Sequence, residues 1–303
     1  MGKVAFVFPG QGSQYVGMGK DFYDADELSR ALFEQADALL GVALSKLCFE
    51  GPEEKLRQTR NTQPAIFLHS IVALRKLTGK TAEMVAGHSL GEYTALVAAG
   101  ALAFEDGLNL VRLRGELMQQ AGEEQRGTMA AVVGLLPDVV EQVCKEASSV
   151  GIVQPANFNS PGQIVISGSV EGVRKGMELA KARGAKMVKE LVVSGAFHST
   201  LMASARDALR KKLEETPLHD ATIPVYSNVT AEPVTRAEEI RDVLFRQLTS
   251  PVRWEESIIH MVRDGADTFV EIGPGKVLQG LIKRIAPNAT VQGVDRLADI
   301  QTA

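Results

Sequence analysis

Ser89 sits within Gly87-His88-Ser89-Leu90-Gly91. An apolar run, Met84-Val85-Ala86, precedes it, and a helical pattern with Tyr93, Leu96 and Val97 on one face follows at once. Strand, sharp turn, helix is the setting in which G-x-S-x-G makes a nucleophile elbow, a serine held on a strained turn with its hydroxyl exposed. The turn brings strand and helix so close that side chains at positions 87 and 91 would clash. Ser89 would then lie at a helix N-terminus, where free N–H groups and the helix dipole stabilise negative charge. The competing reading is a packed, inert serine in a glycine-rich turn, and the strand before and helix after favour catalysis.

A serine hydroxyl needs a neighbouring base to take its proton. Five histidines are available: His69, His88, His198, His219 and His260. His69 and His260 fall inside helical patterns, and His219 lies in a polar connection beside Asp220. His88 adjoins the serine, but consecutive residues on a strained turn point apart. His198 is the best candidate, in a small-residue loop, Ser194-Gly195-Ala196, that precedes a helix; its alternative is a helix-capping role. No acidic residue stands at a suggestive position beside it. A backbone carbonyl could equally hold the imidazole tautomer. A tetrahedral intermediate needs two preorganised N–H donors, each contributing ~3 kcal/mol. Leu90 supplies one by construction, and the glycine-rich turn at Gln11 is the natural source of the second.

Parallel strands buried on both faces read as continuous apolar runs, and Val4–Phe8 is one. Pro9-Gly10-Gln11-Gly12-Ser13-Gln14 ends it with neither G-x-G-x-x-G nor G-K-[ST] spacing, so no phosphate loop is expected. Helices are expected over 26–40, 44–49, 65–77 (opened by Thr62-Gln63-Pro64) and 104–120. From Gly127 the pattern becomes β-α-β-β-α-β: strands 128–135, 152–156, 163–167 and 186–193, helices 137–149 and 170–183, with Asn157 to Gly162 as a turn. That order is ferredoxin-like. It predicts an α+β subdomain over 127–194 inserted into a large α/β-hydrolase-like domain with a parallel central sheet, built from 1–126 and 195–303. The large domain would resume with helices 201–213, 240–248, one opened by Pro251 that carries Trp254, and 277–286. Its remaining strands would be 224–229, 268–272 and 290–294.

The composition, 45% hydrophobic and 23% charged with 28 glycines among 303 residues, excludes disordered and fibrous classes. A net charge of −4 gives no global basic field for nucleic acid or an anionic membrane. The two cysteines, Cys48 and Cys144, lack metal-type spacing and read as buried small hydrophobes. No leader pattern opens the chain and no apolar stretch reaches membrane-spanning length, so a cytoplasmic protein is expected.

Four motifs together carry a resemblance: Phe8-Pro9-Gly10-Gln11-Gly12-Ser13-Gln14, Gly87-His88-Ser89-Leu90-Gly91-Glu92-Tyr93, Gly195-Ala196-Phe197-His198-Ser199 and Glu271-Ile272-Gly273-Pro274-Gly275. In this order, from first strand to last, the chain resembles the malonyl-CoA:acyl carrier protein transacylases. The resemblance implies ping-pong transfer: Ser89 takes malonyl from CoA and passes it to the phosphopantetheine thiol of acyl carrier protein. It implies His198 as base, Gln11 and Leu90 as backbone oxyanion donors, and main-chain carbonyls near Gln247 holding the histidine. The family's substrate arginine falls on Arg114, whose planar fork suits a malonyl carboxylate; Arg112 reads as an exposed helix arginine. Leu90 and Phe197 resemble the malonyl-selective pattern, and Gln63 and Asn228 lie in family-like stretches. No cofactor or metal is implied, malonyl-CoA being a substrate, and a monomer is expected. The acidic carrier could meet Lys181, Arg183, Lys186 and Lys189, or Arg206, Arg210, Lys211 and Lys212, although both clusters also read as solvated faces. Fatty-acid synthesis is the expected setting. A trans-acting acyltransferase of polyketide synthesis and a serine esterase remain alternatives, as does a scaffold that has lost the chemistry.

Overall fold

The computed structural model describes residues 2–301. In chain order its strands are β1 (Lys3–Phe8), β2 (Met84–Gly87), β3 (Gly127–Val133), β4 (Val153–Ser160), β5 (Gln163–Ser169), β6 (Met187–Glu190), β7 (Val225–Tyr226), β8 (Pro233–Val234), β9 (Ala266–Ile272) and β10 (Thr290–Val294). They form two sheets. The central one has the order β10-β9-β1-β2-β7-β8. It is parallel except at the edge strand β8, which pairs antiparallel with β7.

The apolar run of β1 is continuous because both faces of the sheet are covered. Phe6 and Phe8 pack into a core shared with the helices Thr59–Lys76, Gly91–Ala98 and Phe104–Glu124. Ala5 and Val7 pack into an opposite core with Trp254, Ile258 and Met261 of the helix Trp254–Arg263 and Leu278 and Ile282 of the helix Val277–Ile285. Alternate side chains of a strand point to opposite faces, so one five-residue run serves both layers.

The second sheet has the order β4-β5-β3-β6, all antiparallel, with a third core of its own. The helices Pro137–Ala147 and Val170–Ala182 contribute Val140, Val143, Val173 and Ala180 to that core. Numbered within the β-α-β-β-α-β unit, the order is 2-3-1-4, the ferredoxin-like arrangement. The expected fold class, a parallel α/β sheet accompanied by a small α+β sheet, is borne out.

Several boundaries differ from those expected. The helix expected to open after Pro64 begins at Thr59 and carries Pro64 inside it. Proline leaves the carbonyl four residues earlier without its intrahelical donor; here the Arg60 carbonyl accepts instead from Arg112 Nη1 at 3.0 Å. Arg112 is thus not the exposed arginine expected: it also pairs with Glu116 at 2.6 Å and is half-buried. Asn157–Ser160, expected as turn, continue β4, because Asn157 and Phe158 pair with Val165 and Ile164. The turn shrinks to Pro161-Gly162, with Gly162 at φ +70°. β6 stops at Glu190, short of the expected Val193. The strand expected over 224–229 shortens to the two residues of β7, and the two-residue β8, for which no strand was expected, follows it.

Candidate active site

β2 delivers Gly87 beside Phe8 of β1, and the chain turns at once into the helix Gly91–Ala98. A Cβ built at Gly87 would lie 1.8 Å from Gly91 C, and one at Gly91 would lie 2.1 Å from Phe8 O. Only hydrogen atoms fit between these backbones. Ser89 takes φ +53°, and His198 takes φ +57°. Left-handed backbone at a residue with a side chain costs on the order of 1–3 kcal/mol. Both residues therefore occupy strained positions held by their surroundings.

The strain aims the two side chains at each other. Ser89 Oγ lies 2.8 Å from His198 Nε2. His198 Nδ1 faces two carbonyls, Gln247 O at 3.0 Å and Ser250 O at 3.1 Å. Carbonyl oxygens only accept, so Nδ1 carries the proton and Nε2 presents its lone pair to the serine. No carboxylate is needed for that tautomer. Burial, and then the nearby Arg114 charge, push the His198 imidazolium down to about 3. The free base is neutral throughout the physiological range.

Arg114, on the helix Phe104–Glu124, is completely buried. Its Nη2 donates to Ser89 Oγ at 3.0 Å and to Gln247 Oε1 at 2.8 Å, and its Nη1 donates to Gln63 Oε1 at 2.9 Å. Its guanidinium carbon lies 5.5 Å from the Tyr93 ring centre. Three of the five N–H donors of a guanidinium are engaged, and Nε is buried without a hydrogen-bond partner among the described residues. Gln63 is itself held by Met118, at 3.2 Å from Sδ.

Asn228 anchors the turn. Its Oδ1 accepts from Ser89 N at 2.6 Å and its Nδ2 donates to Gly87 O at 2.7 Å. The Ser89 amide is thereby spoken for. The amides of Gln11 and Leu90 have no acceptor among the described residues, and both residues line the cleft beside Ser89. The Gln11 side chain turns away to Thr59 Oγ1 at 3.2 Å. The cleft holds about 220 Å³ and runs between the two sheets. Met118, Met129, Val165, Leu191, Val193 and Phe197 form its apolar wall.

All nine sequence-expected residues meet here: Ser89, His198, Arg114, Gln63, Asn228 and Gln247 in one hydrogen-bonded set, with Gln11, Leu90 and Phe197 around the cleft. Three other contributors were not assigned from sequence. Glu92, quoted in the elbow motif without a role, accepts from Gln247 Nε2 at 2.6 Å. Gln154 donates to His198 O at 3.3 Å, and Asn159 accepts from His88 Nε2 at 2.9 Å. A carboxylate on the buried face of an apolar helix is a readable signal for Glu92; nothing in the β4 pattern marks the other two.

Of the basic clusters, Arg183 pairs with Glu146, Arg206 with Asp207 and Lys211 with Glu215, while Arg210 lies over the Phe245 ring. Lys181, Lys186 and Lys189 are exposed. Among the described residues no group of three or more His, Cys, Asp or Glu could hold a metal ion, and no helix is long and apolar enough to cross a membrane.

A strained serine, a carbonyl-held histidine and a buried arginine on this scaffold define a serine acyltransferase site. Residues 5–297 match the family model described as acyl transferase domain, and the chain belongs to that family. It is 49% identical over 288 residues to the malonyl CoA-acyl carrier protein transacylase of Bacillus subtilis, covering 94% of this chain and 91% of that protein. Among solved structures, an acyl carrier protein S-malonyltransferase from Vibrio cholerae superposes with TM-score 0.95 at 42% identity, over 99% of both chains. A malonyl-transacylase solved in complex with a type II polyketide acyl-carrier protein superposes with TM-score 0.96 at 42% identity, over 99% of this chain and 98% of that one.

Proposed function

We propose that this chain transfers malonyl from malonyl-CoA to the phosphopantetheine thiol of an acyl carrier protein through a malonyl-Ser89 ester. The observation that carries the reading is the fully buried Arg114 guanidinium 3.0 Å from Ser89 Oγ. A cation buried against a nucleophile suits an acyl group that brings its own carboxylate. A neutral ester would leave that charge unused, which disfavours the esterase reading. The intact Ser89–His198 pair disfavours a scaffold that has lost the chemistry.

In the first half-reaction Ser89 Oγ attacks the thioester carbonyl while His198 Nε2 takes its proton. The oxyanion is received by the Gln11 and Leu90 amides. The C–S bond breaks, and His198 returns the proton to the departing CoA sulfur. The carrier thiol then repeats the steps in reverse, attacking the ester and regenerating Ser89. Arg114 holds the malonyl carboxylate throughout, with Gln63 and Gln247 fixing its fork. Phe197 crowds the α-carbon, although a methylene-sized difference discriminates only about 10–200-fold. No cofactor takes part.

Residues 127–194 act as the inserted subdomain and residues 1–126 with 195–303 as the catalytic one, with the cleft between them. Fatty-acid synthesis is the setting of choice; the second reading, supply of a polyketide carrier, rests on the similarity to the malonyl-transacylase solved with such a carrier. Exposed Lys181 and Lys186 would meet the acidic carrier. Charge reversal there should slow carrier turnover in a salt-dependent way and spare CoA-to-serine transfer; equal loss in both half-reactions would remove them from the docking face.

Intact mass after mixing with malonyl-CoA tests the central claim. The expected result is a malonyl adduct that is absent in Ser89→Ala and disappears when carrier protein with a free phosphopantetheine thiol is supplied. Absence of any adduct on the unmodified chain overturns it.

A further inference from the structure

Glu92 lies one turn beyond the nucleophile in sequence and is completely enclosed, 1% exposed. A buried carboxylate among apolar neighbours is unfavourable unless it is paired and hydrogen-bonded. Its Oε2 accepts from Gln247 Nε2 at 2.6 Å and from Asn228 N at 3.3 Å. Neither partner is incidental, since Gln247 and Asn228 are the two residues that clamp the serine turn from outside.

A side-chain amide has two nearly isosteric ends, and only its partners decide which way it faces. Gln247 Nε2 donates to Glu92 and to Ser89 O at 3.0 Å, which turns Oε1 toward Arg114 Nη2 at 2.8 Å. An inverted amide would set an NH2 group against the guanidinium. The fork of Arg114 would then lose one of the bonds that aim it, and two donors would face each other. The main-chain carbonyl of the same residue holds His198 Nδ1 at 3.0 Å. Glu92 is therefore connected to the base, the cation and the nucleophile through one intermediary. It also places a carboxylate in the field of Arg114, whose own bonds go to neutral oxygens.

We propose that Glu92 is a positioning residue for selection of a carboxylate-bearing acyl group: it fixes the Gln247 amide and thereby the Arg114 fork. The proposal rests on the malonyl-transfer reading above. Removing the acceptor oxygen while keeping an apolar side chain of similar size should misalign the fork without dismantling the serine–histidine pair. The acyl preference then falls, instead of all loading falling together.

The test is competition. Equal concentrations of malonyl-CoA and acetyl-CoA are mixed with the full chain, and the two Ser89 adducts are compared by intact mass. In Glu92→Leu, which removes the oxygen that accepts from Gln247 and Asn228, the ratio of acetyl to malonyl adduct should rise at least about tenfold over the unmodified chain, as expected for loss of a charged hydrogen bond. Glu92→Asp, which keeps a carboxylate, should stay nearer the unmodified ratio. An unchanged ratio in Glu92→Leu, or equal slowing of both adducts, overturns the proposal. So does failure of both variants to fold, which would assign Glu92 to stability alone. An unmodified chain that forms no malonyl adduct overturns the underlying reading instead.

Discussion

Asn159 Oδ1 lies 2.9 Å from His88 Nε2, joining β4 of the four-stranded sheet to the turn that carries the nucleophile. The bond is one of a series along the same strand. Phe158 N donates to Val252 O at 2.9 Å and Val252 N to Ala156 O at 2.8 Å, pinning the segment whose Ser250 carbonyl holds His198. Gln154 reaches the His198 carbonyl itself. The smaller sheet thus does more than roof the cleft: one of its strands steadies the backbone around both the serine and the histidine.

Removing the Asn159 acceptor leaves the half-buried His88 Nε2–H without its partner. Asn159→Ala should lose about 1–2 kcal/mol of stability and slow Ser89 loading, because the turn preceding the nucleophile is loosened. Urea denaturation alongside loading rates is the measurement. Unchanged stability with normal loading would mean that the contact is not a support.

Arg114 should separate charged from neutral acyl groups. A hydrogen bond to a charged group contributes about 1.5–3 kcal/mol, so a carboxylate held by two parallel bonds predicts at least a ~100-fold fall in malonyl loading for Arg114→Ala. Acetyl loading should change far less. Arg114→Lys keeps the charge but not the fork and should remain at least about tenfold below the parent. A lysine variant with parental rates would show that charge alone suffices.

The acid limb belongs to His198. Its folded value, about 3, lies below an ordinary histidine near 6.5. The neutral form is the one the fold favours. Its stabilising share is complete above about pH 6.5 and is lost as the pH falls from there toward 3, because the unfolded chain then binds the extra proton. At 1.36 kcal/mol per pH unit, this single group can account for roughly 2 kcal/mol between pH 6.5 and 5. Denaturation of the parent and of His198→Phe at both pH values should show a smaller acid loss in the variant. Two other buried groups act in the opposite sense. Glu92 and Glu271 are raised to about 7 by burial, so their acid forms are favoured below that value. The comparison with the variant isolates His198 from them. For activity, CoA release with acetyl-CoA as donor, which makes no use of the Glu92–Arg114 arrangement, should show no histidine-type decline between pH 7 and 6.

How much of this was legible in the residues depends on the kind of contact. Apolar runs such as Val4–Phe8 and Met84–Ala86 declare buried strands because burial on two faces leaves no polar position. Ser89 and His198 stand out because glycines and small residues around them announce special backbone. The helix beginning at Thr59 was hidden by Pro64, since its local cost is offset by Arg112, 48 residues away in sequence. Asn157–Ser160 read as turn because asparagine and serine prefer turns in isolation; pairing to β5 and Val252 overrides that preference. The roles of Gln247, Gln154 and Asn159 are tertiary throughout. Their partners lie on other elements, and no local pattern encodes them.

Gly87 offers the sharpest test of the elbow itself. A Cβ there would lie 1.8 Å from Gly91 C and 2.3 Å from Glu92 N, both backbone atoms that cannot rotate aside. Relief requires β2 and the helix Gly91–Ala98 to separate, which also pulls Asn228 from Gly87 O and Ser89 N. Overpacking of a well-filled interior costs typically 1–3 kcal/mol, and two lost buried bonds add about 1 kcal/mol each. Gly87→Ala should therefore lose at least ~3 kcal/mol in chemical denaturation and show no detectable acyl-Ser89, even where it remains folded. Gly12→Ala is the matched control: its φ of +106° is strained, but nothing lies within 4 Å of the added methyl. It should lose less stability than Gly87→Ala and still form the acyl enzyme. Comparable losses in the two variants would mean that the approach of strand to helix is not what demands glycine at position 87.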